Sequence, residues 1–157
     1  PSWKPLGDIV IDGKVVVRGG QRQGIGFTSK GQVKFLERKG ASRIDWTGCV
    51  SGLACGPRLL RAGKKDIDVK RDGFSAAAAT NTAWRCAVGA SRDGKLILVT
   101  VKQPVTLSVV ADVMLELGAV DAVNLDGGSM CAFYRDGKVV ASPILPVSNV
   151  LAVYRTK

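Results

Sequence analysis

The chain has 157 residues, 46% of them hydrophobic, so it is long enough to bury the core of one domain. No apolar run approaches the roughly 20 residues of a membrane span, and the first residues lack the charged-then-apolar order of a signal peptide. The formal charge is +10, which indicates a solvated, generally cationic surface or, as the alternative, one that attracts polyanions such as phosphorylated glycans or an anionic cell envelope. Only 6% of the residues are aromatic, whereas a nucleic-acid binder would need aromatic stacking platforms.

Four β-hairpins are predicted along the chain, each centred on a glycine turn. Asp12-Gly13, Asp93-Gly94 and Asp136-Gly137 are Asp-Gly pairs between β-rich runs, and Lys30-Gly31 has the same setting. Asp-Gly favours a tight hairpin because both turn positions need positive φ.

A basic stretch follows the second hairpin and is interleaved with acidic residues. We expect it to form a solvated surface, since no aromatic residue interrupts it before Phe74. Its basic members are Arg58, Arg61, Lys64, Lys65, Lys70 and Arg71.

The segment 75–83, SAAAATNTA, is small and polar, with neither helical nor strand periodicity. A mobile loop or a short helix fits this composition. Because it lies directly before the strand that begins near Arg85, it is a candidate flap over a binding site.

One principal helix is predicted over about 106–117. Thr106 is a suitable N-cap and Gly118 a suitable C-terminal stop. An apolar strand then runs to Leu125, and a final strand is expected over 148–155. The predicted fold class is therefore α+β, with a mixed or antiparallel sheet, hairpins and one helix. The apolar residues at helical spacing are Leu107, Val110, Val113, Met114 and Leu117.

The four cysteines fit no metal-binding spacing and the chain has no histidine, so we predict no metal site. Cys49 and Cys55 close a short loop and are the favoured disulfide. Cys86 and Cys131 are either a second pair or two buried thiols. The cysteine content favours an extracytoplasmic location, periplasmic or secreted.

A glycine loop follows the strand after the helix and differs from the hairpin turns. Asp126 is followed by Gly127 and Gly128, which let a ligand approach the backbone, and by the hydroxyl of Ser129. Asn124 lies two residues earlier, on the same face of an extended chain. These groups are suited to bind a polyhydroxylated ligand and to stabilise developing charge, although a structural turn also fits.

Several motifs, in order, resemble the phosphodiester glycosidase family, which includes the lysosomal uncovering enzyme and many bacterial relatives. The resemblance covers most of the chain from about residue 5. Cys86 stands where the family usually has threonine, and Cys55 where it has glycine. The matching segments are 55–64 (CGPRLLRAGK), 85–89 (RCAVG), 117–119 (LGA), 124–129 (NLDGGS) and 146–151 (PVSNVL).

The family's Asn-Gly-Gly-Phe-Phe-like motif would fall just before Pro1. We therefore expect residues 1–157 to form a single phosphodiester glycosidase-like domain that lacks its N-terminal segment, as the start on Pro1 rather than methionine also suggests.

The resemblance implies a hydrolase that cleaves a sugar-1-phosphodiester, such as an N-acetylglucosamine phosphodiester, into free sugar and phosphomonoester without a cofactor. Asp126 would be the central carboxylate, which either stabilises an oxocarbenium-like centre, activates water or attacks as the nucleophile. Arg85 would be the phosphate partner, since a guanidinium matches two phosphate oxygens. Gly127 and Gly128 would supply backbone donors. The implied ligands of the sugar hydroxyls are Asn124, Ser129, Ser148 and Asn149.

Two other functions are compatible with the sequence. A non-catalytic module of the same fold would bind anionic or phosphorylated cell-envelope glycans through its positive charge, but would not need Asp126 and Arg85. A basic nucleic-acid binder would show strong, salt-dependent binding to single-stranded DNA.

Overall fold

The computed structural model of the protein describes residues 4–154, which form two stacked five-stranded sheets and a small hairpin. The first sheet has the strand order β2-β1-β5-β3-β4, and every neighbouring pair is antiparallel. Its strands are β1 (Ile9–Ile11), β2 (Lys14–Val17), β3 (Gln23–Phe27), β4 (Val33–Glu37) and β5 (Ser51–Cys55).

The second sheet has the order β7-β6-β10-β8-β9 and is also antiparallel between neighbours. Its strands are β6 (Arg58–Arg61), β7 (Lys64–Lys65), β8 (Ala83–Ser91), β9 (Leu96–Val105) and β10 (Ala119–Asn124). A one-turn helix, α1 (Ala77–Thr80), precedes β8, and α2 (Leu107–Glu116) joins β9 to β10. A separate hairpin contains β11 (Phe133–Arg135) and β12 (Lys138–Ala141). The predicted α+β class is confirmed.

The two sheets enclose the central core, and α2 covers the outer face of the second sheet. Ile25 and Cys55 of the first sheet pack with Val88 and Val123 of the second. On the other side, the helix buries Leu107, Val110, Ala111 and Met114 against residues such as Leu60, Ala87 and Ala122. The strand β10 therefore has covered faces and a strand on each side.

All four predicted hairpins are present. Asp12 and Asp136 have φ of 50° and 49°, and the glycines that follow them also have positive φ, as a tight turn requires. A fifth hairpin, between β6 and β7, turns at Ala62-Gly63. This turn was not predictable from its residues, because alanine seldom adopts the positive φ found here.

The principal helix is confirmed at its predicted position. The Thr106 hydroxyl accepts the amide hydrogen of Val109 at 3.5 Å, and Gly118 ends the helix with φ of +85°. The predicted apolar face is wrong at its end, since Leu117 is 54% exposed. This residue already follows the last helical turn and points away from the sheet core.

Two other segments are also clarified. The final strand expected over 148–155 is absent from its described part, residues 148–154, where Val150 and Val153 are exposed and no strand pairing forms. The segment 75–83 contains the short helix that was one of its two predicted forms, and Ala78 and Ala79 pack against the core beneath α2.

The basic stretch after β5 is only partly a solvated surface. Arg58 is 2% exposed, and its guanidinium donates to Gln23 at 2.9 Å and pairs with Asp121 at 3.2 Å. Asp72, which is 1% exposed, accepts hydrogen bonds from the Gln23 side chain and the Arg58 backbone. Buried charges need such partners, so this end of the stretch is structural. Arg71 pairs with Asp72 as well.

All four cysteines are free thiols, and the favoured Cys49–Cys55 disulfide is not formed. Cys49 packs with Trp46 in the cluster on the outer face of the first sheet, whereas Cys55 faces the central core at the far end of β5. Cys49 precedes β5, so its side chain does not follow the alternation of that strand, and the first sheet lies between the two sulfurs in spite of the short loop.

None of the helices described in residues 4–154 has the length and the apolar composition of a membrane-spanning segment.

Candidate active site

The glycine loop, residues 126–130, leaves the end of β10, the middle strand of the second sheet. The Asn124 amide donates to the Pro57 carbonyl at 2.9 Å, and the Gly56 amide donates back to Asn124 at 3.1 Å. On the other side, the Leu125 amide donates to the Cys86 carbonyl at 2.8 Å. The strand is thus held from both sides up to the residue before Asp126.

Each of the two glycines of this loop is required for a different structural reason. A Cβ atom added at Gly127 would lie 2.6 Å from the Trp84 carbonyl oxygen and 3.6 Å from Cδ of Arg85. Gly127 therefore lets the loop pack closely against the start of β8. Gly128 has φ of +59° and opens a single 3-10 turn, Gly128–Met130. The loop touches the strand that carries Arg85.

Gly127→Ala should destabilise the protein by about 1–3 kcal/mol, because the added methyl group meets a backbone oxygen that cannot rotate away. Urea unfolding followed by circular dichroism would measure this loss. Gly20→Ala is the matched control, since a Cβ there meets nothing within 4 Å and it should change stability by less than about 0.5 kcal/mol. Equal stability of the two variants would contradict the close packing at Gly127.

The Asp126 side chain lies at the surface of the protein without a partner. Among residues 4–154 it forms neither a salt bridge nor a side-chain hydrogen bond, although the loop and the adjoining strands remove part of its hydration. This partial burial raises the pKa of the Asp126 carboxyl above its usual range. An aspartate held in this way has its charge available to a ligand.

Asp126→Asn should stabilise the fold slightly at neutral pH. A carboxyl with a raised folded-state pKa contributes stability that is full below its unfolded pKa and is lost as the pH rises through the folded value. The uncharged amide variant avoids this loss. Its gain in unfolding free energy should be no more than about 0.5 kcal/mol, because the group stays partly hydrated. Thermal melts should show Tm(variant) minus Tm(wild type) larger at pH 7 than at pH 4. The same difference at both pH values would contradict the assignment.

Arg85 is the cation nearest to the glycine loop along β8. Its Nη2 donates to the Asn81 carbonyl at 2.7 Å and its Nε to the Val105 carbonyl at 3.4 Å. Within the described residues it has no carboxylate partner, and partial burial lowers the pKa of its guanidinium. Two backbone carbonyls thus orient the side chain and leave its charge uncompensated.

Asn124 lies deeper than the sequence suggested. It is 5% exposed, and its Nδ2 donates to the Leu125 carbonyl at 2.5 Å. Its Oδ1 is buried and, in the part of the chain described here, lacks a hydrogen-bond partner. In this conformation the side chain holds the end of β10 and does not reach the surface beside Asp126.

The three other side chains predicted to bind sugar hydroxyls are all exposed; they are Ser129, Ser148 and Asn149. The backbone carbonyl of Ser129 accepts the amides of Ile144 and Leu145 at 2.7 and 3.0 Å. This contact fixes the segment that leads to Ser148 and Asn149, whose side chains hydrogen-bond to each other at 2.9 Å. No hydrogen bond among residues 4–154 joins either of them to Asp126.

Sequence reasoning missed two structural features of the site. The carbonyl of Asn81, just after α1, orients Arg85, and Cys131, just after the loop, contacts Cys86 of β8. Carbonyl acceptors leave no signal in a sequence.

A cavity of about 560 Å³ lies away from the loop, beside Arg18, Trp46 and Val50.

A sequence profile described as phosphodiester glycosidase matches residues 1–154. Among solved structures, the zebrafish N-acetylglucosamine-1-phosphodiester alpha-N-acetylglucosaminidase catalytic domain, auto-inhibited by its pro-peptide, superimposes with a TM-score of 0.74 at 26% identity. The match covers 88% of this chain and 51% of that domain, so the chain spans about half its length.

A hypothetical protein from Synechocystis shares the fold at 21% identity and a TM-score of 0.56, over 86% of this chain and 32% of its own. A predicted exported protein from Burkholderia pseudomallei shares it at 23% and 0.51, over 71% and 26%. No curated protein sequence matches the chain.

Proposed function

The chain belongs to the phosphodiester glycosidase family, and we propose that it hydrolyses a sugar-1-phosphodiester to a free sugar and a phosphomonoester. The zebrafish relative is named for N-acetylglucosamine-1-phosphodiesters, and we propose a substrate of this class. Phosphodiester-linked cell-envelope glycans and exopolysaccharides belong to it. Such substrates lie outside the cytoplasm, so the proposal includes an extracytoplasmic location.

The observation that carries the proposal is a pair of uncompensated opposite charges on either side of Gly127. Cδ of Arg85 lies 3.6 Å from the position that a Cβ atom on Gly127 would take, and Asp126 precedes Gly127 in the chain. Neither is neutralised by another residue of the described chain. A substrate with an anionic phosphodiester next to an anomeric carbon that becomes positive would complement both charges.

In the proposed reaction, the bond between the anomeric carbon and the phosphate oxygen breaks, and its electron pair leaves with the phosphate. Arg85 binds the phosphate oxygens and stabilises the charge that they gain. The Asp126 carboxylate faces the anomeric carbon and stabilises its positive charge. Water adds to this carbon and its released proton goes to the departing phosphate, giving the free sugar and the phosphomonoester. Phosphate leaves readily without a strong general acid, in keeping with a chain that contains no histidine.

The other proposed contacts bind the sugar. Ser129 and Gly128 are exposed and lie with Gly127 on one loop, so we propose that the Ser129 hydroxyl and the backbone amides of the two glycines bind the sugar hydroxyls. Ser148 and Asn149 lie on the segment fixed to Ser129 and complete this set. Asn124 supports the loop from the buried side, because its side-chain amide donates to the carbonyl of Leu125, the residue before Asp126.

The experiment is product analysis with a synthetic N-acetylglucosamine-1-phosphodiester and the full-length gene product. The proposal predicts free N-acetylglucosamine and a phosphomonoester in equal amounts. Binding without turnover would instead support the non-catalytic glycan-binding module, which the net charge of +10 favours. In that case the affinity should fall with salt and should not depend on Asp126.

A further inference from the structure

Cys86 and Cys131 are in direct contact although 45 residues separate them in the chain. Their Sγ atoms lie 3.1 Å apart, in a buried cluster with Ala141, Trp84, and Phe133. A disulfide bond is about 2.05 Å long, so each sulfur needs to move by only about half an ångström to form one. No such approach exists for Cys49 and Cys55, which lie in different clusters.

This contact closes the glycine loop at its second end. At the first end, the Leu125 amide donates to the carbonyl of Cys86. At the second, the sulfur of Cys131 meets the sulfur of the same cysteine. The segment 126–130 is therefore an arc whose two ends are both held by one residue of β8, next to Arg85.

We propose that Cys86 and Cys131 form a disulfide in an oxidising compartment, and that this bond locks the glycine loop against β8. The two thiols lose two electrons and two protons to a small-molecule or protein disulfide, which is reduced to two thiols. Exchange proceeds through a mixed disulfide while the chain folds, because both sulfurs are buried afterwards. Oxidation converts a contact into a covalent bond without rebuilding the fold.

The surroundings of the pair favour a structural bond over a reactive one. Among the described residues, the polar neighbours of Cys86 Sγ other than its partner are the Thr100 hydroxyl at 3.3 Å and the Ala132 carbonyl at 3.7 Å. Burial, and then the contact with Cys86, raises the pKa of the Cys131 thiol. Little thiolate is therefore present to exchange once the protein has folded.

The test is oxidative refolding of the wild-type chain in a mixture of oxidised and reduced glutathione. After denaturation and alkylation, two of the four cysteines should be labelled, and peptide mapping should recover the Cys86–Cys131 linkage. Cys49→Ser should leave this linkage intact, whereas Cys86→Ser and Cys131→Ser should each abolish it. Four labelled cysteines, or a Cys49–Cys55 linkage, would overturn the proposal.

A second measurement tests the locking of the loop without any assay of activity. Reduction of the oxidised wild type should lower its Tm by at least about 5 °C, since the bond closes a long loop. Hydrogen exchange at the amides of 127–131 should become at least about tenfold faster. Neither change should occur in Cys86→Ser. A linkage that forms but leaves exchange unaltered would refute the locking role.

The inference concerns the site of the proposed function, but its readouts do not depend on it. If the disulfide forms and no sugar phosphodiester is cleaved, the proposed function fails and the disulfide stands. If the substrate is cleaved and four free thiols remain after oxidative refolding, the reverse holds.

Discussion

Asp126→Asn should lower kcat for hydrolysis of a sugar-1-phosphodiester by at least about 10³-fold, with little change in KM. The substitution keeps the shape of the side chain and removes the negative charge that stabilises the developing positive charge at the anomeric carbon. A loss confined to kcat is expected because this charge acts in the transition state more than in the ground state. Steady-state kinetics of product release would measure it.

Asp136→Asn is the matched control for this variant. Asp136 is also followed by glycine, but it has φ of +49° in a hairpin turn, is exposed and pairs with Arg135 at 3.0 Å. Its kcat should stay within about twofold of wild type. Full activity in Asp126→Asn, or equal losses in the two variants, would contradict the role given to Asp126.

Arg85→Met should lower kcat/KM by about 10²- to 10³-fold. The guanidinium offers a planar pair of donors to two phosphate oxygens and also stabilises the charge on the leaving phosphate. Arg85→Lys keeps the charge and loses the fork geometry, so its kcat/KM should fall between those of wild type and Arg85→Met. The measurement is the initial rate at substrate concentrations well below KM.

Two controls separate this role from a structural one. Arg85 also donates to the carbonyls of Asn81 and Val105, so the Tm of each variant should be measured to show that the fold survives. Arg135→Met removes an exposed arginine from a hairpin, and it should leave kcat/KM unchanged. Wild-type kcat/KM in a folded Arg85→Met variant would remove this arginine from the proposed site.

The local features of the fold were predictable because they depend on local physical chemistry. Asp-Gly pairs form tight turns, and a threonine cap with apolar helical spacing forms α2. Stacking of two sheets was not predictable in this way, because it depends on contacts between distant residues such as Ile25 and Val88. The same limitation explains the wrong prediction for Arg58. Its sequence context predicts a surface residue, but its side chain is buried and bonded to Gln23 and Asp121.

The sequence marks a set of candidate site residues but does not give their geometry. The second glycine after Asp126 and the asparagine before it marked the loop in the sequence. Burial of Asn124 could not be deduced, since strand alternation gives only the face on which a residue lies. The wrong Cys49–Cys55 pairing has a similar origin, because closeness along the chain does not place two side chains on the same face of the first sheet.

The most direct test of the central claim, attack of water at the sugar rather than at phosphorus, is hydrolysis in water labelled with ¹⁸O. Cleavage of the bond between the anomeric carbon and oxygen leaves every oxygen of the phosphate as it was in the substrate. Mass spectrometry of the released phosphomonoester should therefore detect no ¹⁸O. One ¹⁸O atom in each phosphomonoester would place the attack at phosphorus and contradict the account.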